Sequence, residues 1–178
     1  GLQFIRGLWY RALVTHSKNG LDLKFSAKNT GAATLKNISG IVCMGYPDEN
    51  FQDPELERTF ISVDGGLTHL AETDRGTGDP CRTHYLVEGR NPIRYHAPVY
   101  WGDLSKTIAD TGAIIRTSLC GKYTLGTAWE TVSEIWDNQD SHSCIHSNLS
   151  LGDLEPGETR SVRGRMVFVL GKAEDALE

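Results

Sequence analysis

Apolar and polar residues alternate with a period of two over much of this chain. That period belongs to strands, whose successive side chains point to opposite faces. Residues 21–28 show it without interruption: Leu21, Leu23, Phe25 and Ala27 form one row, expected to face inward, and Asp22, Lys24, Ser26 and Lys28 form the other, expected to face water. Residues 10–17 precede this run across Lys18-Asn19-Gly20. An Asn-Gly step between two alternating runs predicts a hairpin, because both residues tolerate the positive φ of a primed turn. Asn29-Thr30-Gly31 turns the chain again, and a third strand is expected over 35–44, with Gly40 marking a bulge or a bend.

Residues 45–53 are too polar and turn-rich for a strand and predict a loop. Alternation returns over 58–63, turns through Asp64-Gly65-Gly66 and runs into 67–70. Residues 72–83 carry almost no apolar side chain and predict a long exposed loop. Strands are expected at 84–87 and 95–101, one helical turn over 104–109, and a second hairpin from 113–119 and 123–129 around Cys120-Gly121-Lys122. In 130–136, Val132, Ile135 and Trp136 stand at i, i+3 and i+4, the spacing of a helical turn or of an irregular segment.

Pro156-Gly157 marks a turn before the last strand. There Val162, Gly164, Met166, Phe168 and Leu170 form one row, while Arg163 and Arg165 open the other before Val167 and Val169 close it. This predicts a strand half exposed at its start and buried at its end. Residues 172–178 are expected to form a frayed helix. About ten short strands separated by turns, with at most one or two short helices, describe an all-β protein, an antiparallel β-sandwich or barrel.

Length and charge narrow this picture. A chain of 178 residues without a Ser/Gly-rich or Pro-rich linker is expected to form one domain, 1–178. A formal net charge of -5 argues against a nucleic-acid partner, since such proteins carry a clustered basic face. No apolar run approaches the roughly 20 residues of a membrane-spanning helix. The first residues, Gly1 to Arg6, lack the pattern of a signal peptide. Cys43, Cys81, Cys120 and Cys144 are widely spaced, could pair in any of three ways, and read most simply as small buried hydrophobes. Neither a nucleophile elbow nor a phosphate-cradling glycine loop is present.

Some stretches carry a family resemblance. Leu23-Lys24-Phe25-Ser26-Ala27-Lys28-Asn29-Thr30-Gly31 and a strand running into the Tyr46-Pro47 loop stand near the start. Near the end, Ser143-Cys144-Ile145-His146 is followed by Leu154-Glu155-Pro156-Gly157-Glu158-Thr159-Arg160 and a last strand. This layout resembles the galactose-mutarotase-like β-sandwiches, of which aldose epimerases are members. The resemblance covers the two ends of the chain. It implies a mutarotase-like supersandwich, or a jelly-roll-like one, that handles sugars. Where that family places a histidine this chain has Gly45-Tyr46-Pro47, and where it places a late catalytic glutamate this chain has His146. The acid and base of an epimerase therefore do not map residue by residue, and no cofactor is implied.

Three sets of residues are candidates for a site. Trp101, Trp129 and Trp136, with Tyr95, Tyr100 and Tyr123, could stack on sugar rings, against the simpler reading of core packing. His142, Cys144 and His146 alternate, so one strand would aim all three the same way. On an extended strand His142 and His146 lie about 13 Å apart, at roughly 3.3 Å per residue, too far to chelate one ion together. A further ligand would have to come from His69, His84 or His96. His146 is therefore expected to act alone, as a hydrogen-bonding residue, with no metal and no cofactor. Arg58 and Asp64, with Asp48, Glu49, Asn50 and Asp53, could hold a hydroxyl-rich ligand or calcium, although the run lacks the glycine and terminal glutamate of an EF-hand.

The expectation is a carbohydrate-recognising sandwich, secreted or periplasmic, binding its ligand through His146, His142, Trp129, Trp136, Arg58 and Asp64. The alternatives are a metal-dependent enzyme centred on His142 and His146, and a structural or interaction sandwich without a small-molecule site.

Overall fold

The computed structural model describes residues 7–46, 49–75, 81–89, 102–139 and 143–177. The alternating runs at the start fold as the expected hairpin of β1 (Leu8–Ser17) and β2 (Gly20–Asn29), with Ser17 opposite Gly20. Its turn is not the expected primed one. Asn19 keeps a negative φ and Gly20 takes φ 148°, where a Cβ would lie 2.0 Å from the Met166 carbonyl oxygen. A primed Asp-Gly turn instead joins β4 (Thr59–Val63) to β5 (Gly66–His69), with Asp64 at φ 52° and Gly65 at φ 79°.

Two sheets form the sandwich. β1 and β2 belong to a seven-stranded sheet ordered β1-β2-β12-β9-β8-β4-β5, completed by β8 (Ile114–Thr117), β9 (Tyr123–Trp129) and β12 (Thr159–Leu170). The five-stranded sheet, ordered β3-β11-β10-β6-β7, contains β3 (Leu35–Tyr46), β11 (Ser143–Leu154), β10 (Val132–Asn138), β6 (Arg82–Leu86) and β7 (Asp103–Leu104). All neighbours run antiparallel except β6 and β7. Ala27, Ile61, Ile114, Trp129 and Val162 of the larger sheet pack with Tyr85, Ile135, Ile145 and Leu149 of the smaller one as the core.

Several local expectations are corrected. Among the described residues there is no α-helix, only three-residue 3-10 turns at Glu49–Phe51, Leu70–Glu72 and Glu174–Ala176. No helix is long and apolar enough to cross a membrane. The helical turn expected over 104–109 is extended chain lying parallel to β6, with Ala109 bridging Val87. The segment at 130–136, left open as a helical turn or an irregular stretch, contains most of β10, flanked by β11 and β6. Its residues from Val132 to Asp137 are all buried, so it has no wet face to reveal the two-residue period. The expected break at Gly40 lies across the pair instead, where Leu151 is an extra residue of β11 between the pairs Ser150–Ser39 and Gly152–Ile38. β12 does not end buried: Phe168 is 51 % exposed and Leu170 78 %, with Phe168 stacked on Tyr123 at a ring separation of 5.7 Å. The strand expected at 95–101 lies outside the described residues.

None of the four cysteines is bridged, and only Cys144 is buried, so the small-hydrophobe reading holds for that one thiol.

One end of the sandwich is polar inside. The chain after β5, expected as an exposed loop, sends Arg75 into the interior to meet both carboxylate oxygens of fully buried Asp137 at 3.0 and 3.1 Å. Burial pushes the Asp137 carboxyl above the usual range, and the Arg75 guanidinium opposes that rise. Burial and the Asp137 charge push Tyr85 up to about 12, although its hydroxyl meets Thr73 at 2.8 Å. Arg116, fully buried, donates from Nε to Thr59 Oγ1 at 2.8 Å and also to Ser143 of the opposite sheet.

The other end is closed by Asn29, which is fully buried. Its Nδ2 donates to the carbonyls of Ala33 at 2.8 Å and Leu154 at 2.9 Å, and its Oδ1 accepts from the Gly31 amide at 2.9 Å. Its backbone exchanges bonds with Glu158 and Gly157 in the β11–β12 turn.

Two consequences can be measured. Asn29→Ala strands two carbonyls and an amide, and is expected to cost about 2–4 kcal/mol. A shift of the urea midpoint at unchanged slope would report it, and a loss below about 0.5 kcal/mol would show that water satisfies these groups.

Because folded Asp137 holds its proton more tightly than the unfolded chain does, its contribution is largest below the ordinary aspartate value of about 4. It falls as pH rises through the raised folded value. Arg75→Met removes the opposing charge. It is expected to destabilise by about 3–5 kcal/mol at pH 8 and by clearly less at pH 5, where a proton can neutralise the orphaned carboxylate. Equal losses at both pH values would refute this account.

Candidate functional site

Register across the five-stranded sheet assembles residues that lie far apart in sequence. Cys43 of β3 stands opposite His146 of β11, His146 opposite Trp136 of β10, and Trp136 opposite His84 of β6. The next row on the same face contains Ile41, Asn148, Glu134 and Leu86, and the row on the other side contains Gly45, Cys144, Asn138 and Arg82. Ile135, Ile145 and Tyr85 alternate with these residues and belong to the core. The rows therefore occupy the face turned away from the larger sheet.

Three rings of the central row are parallel. Trp136 and His146 lie 3.5 Å apart at 6°, and Trp136 and His84 lie 5.0 Å apart at 9°. Both faces of the indole are thus covered by imidazoles from the flanking strands. With both faces taken, Trp136 is closed to sugar stacking and serves to space the two histidines.

Its Nε1 donates to Asn148 Oδ1 at 3.2 Å, and Asn148 Nδ2 donates to Glu134 Oε1 at 2.7 Å. Those two bonds fix the orientation of the amide. Glu134 Oε2 stands 3.4 Å from His84 Nδ1, an ion-pair distance that is long for a hydrogen bond. His84, Glu134, Trp136, His146 and Asn148 are all at most 5 % exposed. A carboxylate beside an imidazole in so dry a setting is the material of an acid–base pair.

His146 also places Nδ1 3.3 Å from the Trp136 carbonyl. One of its ring nitrogens, the Cys144 thiol and the Cys43 thiol all lie within 4.8 Å of one another. Burial, with the neighbouring Cys43 thiol, pushes Cys144 up to about 12.

Of the residues expected at a site, the structure brings His146, Trp136, His84 and Cys144 together; Asp48, Tyr95, His96, Tyr100, Trp101 and His142 lie outside the described residues, and the others are placed elsewhere. Trp129 is in the core and forms part of a cleft of about 280 Å³ whose other walls include Leu13, Leu23, Phe25, Ile41 and Leu149. Arg58 is used structurally, donating to the Thr117 carbonyl at 2.9 Å and standing 3.7 Å from Asp53. Asp53 is buried and accepts from Thr59 Oγ1 at 2.7 Å. Asp64 sits in the exposed β4–β5 turn. His69 packs on Phe60, with ring centroids 4.4 Å apart, in the larger sheet.

Reading the sequence missed Glu134, Asn148 and Cys43 as site residues, and counted His84 only as a possible metal ligand. Because β10 is buried on both faces, no alternation of polar and apolar residues marks Glu134 as one of a row. Cys43 carried no signal either, since its strand partner is a hundred residues away.

No protein-family model matches this chain, and no curated protein matches it in sequence. Solved structures do match in shape. The Slr1438 protein of Synechocystis superposes with a TM-score of 0.56 at 9% identity, over 90% of this chain and 54% of that one. A galactose mutarotase-like protein of Clostridium acetobutylicum gives 0.54 at 11% identity, over 92% and 56%. A candidate aldose 1-epimerase of Escherichia coli gives 0.50 at 11% identity, over 90% and 60%. The chain thus spans little more than half the length of the structures it resembles, and what it shares with them is a fold, the galactose-mutarotase-like all-β sandwich.

Proposed function

We propose that this chain is a carbohydrate-recognising β-sandwich, either a sugar-binding module or a divergent mutarotase-like domain, whose ligand reaches the buried polar side chains on the side of the five-stranded sheet turned away from the larger sheet. The observation that carries the proposal is the convergence of His84, Glu134, His146 and Asn148 on that one face, around Trp136. Imidazole, carboxylate and carboxamide groups are the hydrogen-bonding partners that a hydroxyl-rich ligand requires. The fold likeness to mutarotase-like proteins points the same way. The cleft beside Trp129 suits such a ligand poorly, because Lys24 is its one charged lining residue.

In this reading His146 exchanges a hydrogen bond with the ligand, Trp136 positions both imidazoles, and recognition rests on hydrogen bonds rather than on indole stacking. Titration calorimetry and thermal shift against a panel of neutral and acidic oligosaccharides test it. Binding is expected, and His146→Ala is expected to weaken it about tenfold, the value of one hydrogen bond. No heat and no thermal shift across the panel would sink the proposal. A wild-type affinity in His146→Ala would return that residue to a structural role.

A further inference from the structure

We infer that Cys43, Cys144 and His146 form a zinc site with an open fourth position. A single strand could not supply it: with only β11 in view, two donors stand two residues apart and no third is near. The neighbouring strand changes the count. Cys43 is the direct cross-strand partner of His146, and Cys144 precedes His146 by two residues, so all three side chains leave the sheet on one face as the corners of a triangle.

The three donor atoms lie within 4.8 Å of one another. A tetrahedral zinc ion with sulfur at about 2.3 Å and nitrogen at about 2.0–2.1 Å needs donors roughly 3.5–3.8 Å apart. Small rotations about the Cα–Cβ bonds close that difference.

Further features suit a metal. The imidazole is held by its stack on Trp136, and its Nδ1 lies 3.3 Å from the Trp136 carbonyl. A proton on Nδ1 directed to that carbonyl leaves the lone pair on Nε2, the second-shell arrangement that orients histidine ligands. Cys43 is exposed while Cys144 and His146 are buried, which gives an ion a route in and a dry seat. Opposite Cys144 stands Gly45, and among the described residues nothing lies within 4 Å of where its Cβ would be. A water or a ligand atom would be the fourth donor. Two thiolates and one imidazole with one open position are a donor set that zinc takes in sites that keep a water or substrate.

The inference does not rest on the sugar reading and competes with it for His146, because the Trp136 carbonyl and the metal together take both ring nitrogens; metal content is read without any sugar present. The test uses the full chain, purified reduced and without chelator, loaded with zinc or cobalt(II) and dialysed. One equivalent of zinc is expected, and the cobalt form is expected to show tetrahedral bands with sulfur-to-cobalt charge transfer. Cys43→Ser and His146→Gln are each expected to lower zinc affinity by at least about 100-fold, while Cys120→Ser, on the β8–β9 turn, leaves it unchanged. Cys43 is exposed, so its metal-free variant is expected to melt with the metal-free wild type, and that is checked alongside. Absence of bound zinc in the reduced protein, a cobalt spectrum without charge transfer, or wild-type affinity in Cys43→Ser and His146→Gln would each overturn the assignment.

Discussion

The buried carboxamide of Asn29 is the joint on which both sheets depend. It ends β2 in the seven-stranded sheet, and its side chain reaches the end of β11 in the five-stranded one through the Leu154 carbonyl. It also holds the turn that starts the approach to β3 through Ala33 and Gly31. Its backbone pairs with the turn that launches β12. A fully buried amide with every hydrogen-bonding group engaged tolerates no other placement of those four segments. Around it, Asp153 takes a bond from the Lys36 ammonium at 2.8 Å and one from the Asn37 amide at 2.9 Å. Those surface contacts add little individually. The buried joint sets the relation of the sheets, and the charges at its rim follow it.

The Asn-Thr-Gly and Leu-Glu-Pro-Gly-Glu stretches, noticed first as two weak signals at opposite ends of the chain, are the two halves of this joint. Reading them separately conveyed a fold likeness but not the reason they belong together. The hairpin of β1 and β2 was legible because Leu23 to Lys28 has one face for water and one for the core. β10 was not, because burial on both faces leaves no alternation of polar and apolar residues, and Val132, Ile135 and Trp136 then stand at the spacing of a helical turn. The end of β12 misled for the opposite reason: Phe168 and Leu170 are apolar yet lie outside the core, with Phe168 resting on Tyr123. Hydropathy states a preference for burial, and the geometry of the sandwich decides who receives it.

The site was less legible than the fold, because sheets build chemistry across strands while a sequence is read along them. His146 and Trp136 could be picked out singly, but neither announces that His84 stacks on the far side of the indole. The same limit hid Cys43. A strand offers one residue to each row, and the identity of its row-mates is set by register, which here depends on the joint at Asn29 and on the bulge at Leu151. Arg58 and Asp53 belonged to a polar group that looked able to hold a ligand, and with Thr59 they form a structural cluster. They satisfy one another and the surrounding backbone instead.

The strand order has a consequence for how the molecule comes into being. β2 pairs with β12, and β3 pairs with β11, so neither sheet has its full set of neighbours until the last two long strands exist. A chain emerging from the ribosome can close the β1–β2 hairpin early, but a lone two-stranded hairpin is marginal in water. Residues 35–46 wait, their hydrogen-bonding edge unmatched, while more than ninety further residues are made. Contacts of such long sequence separation make closure of the sheets a late step, and until then the apolar residues of β3 lack their strand partner.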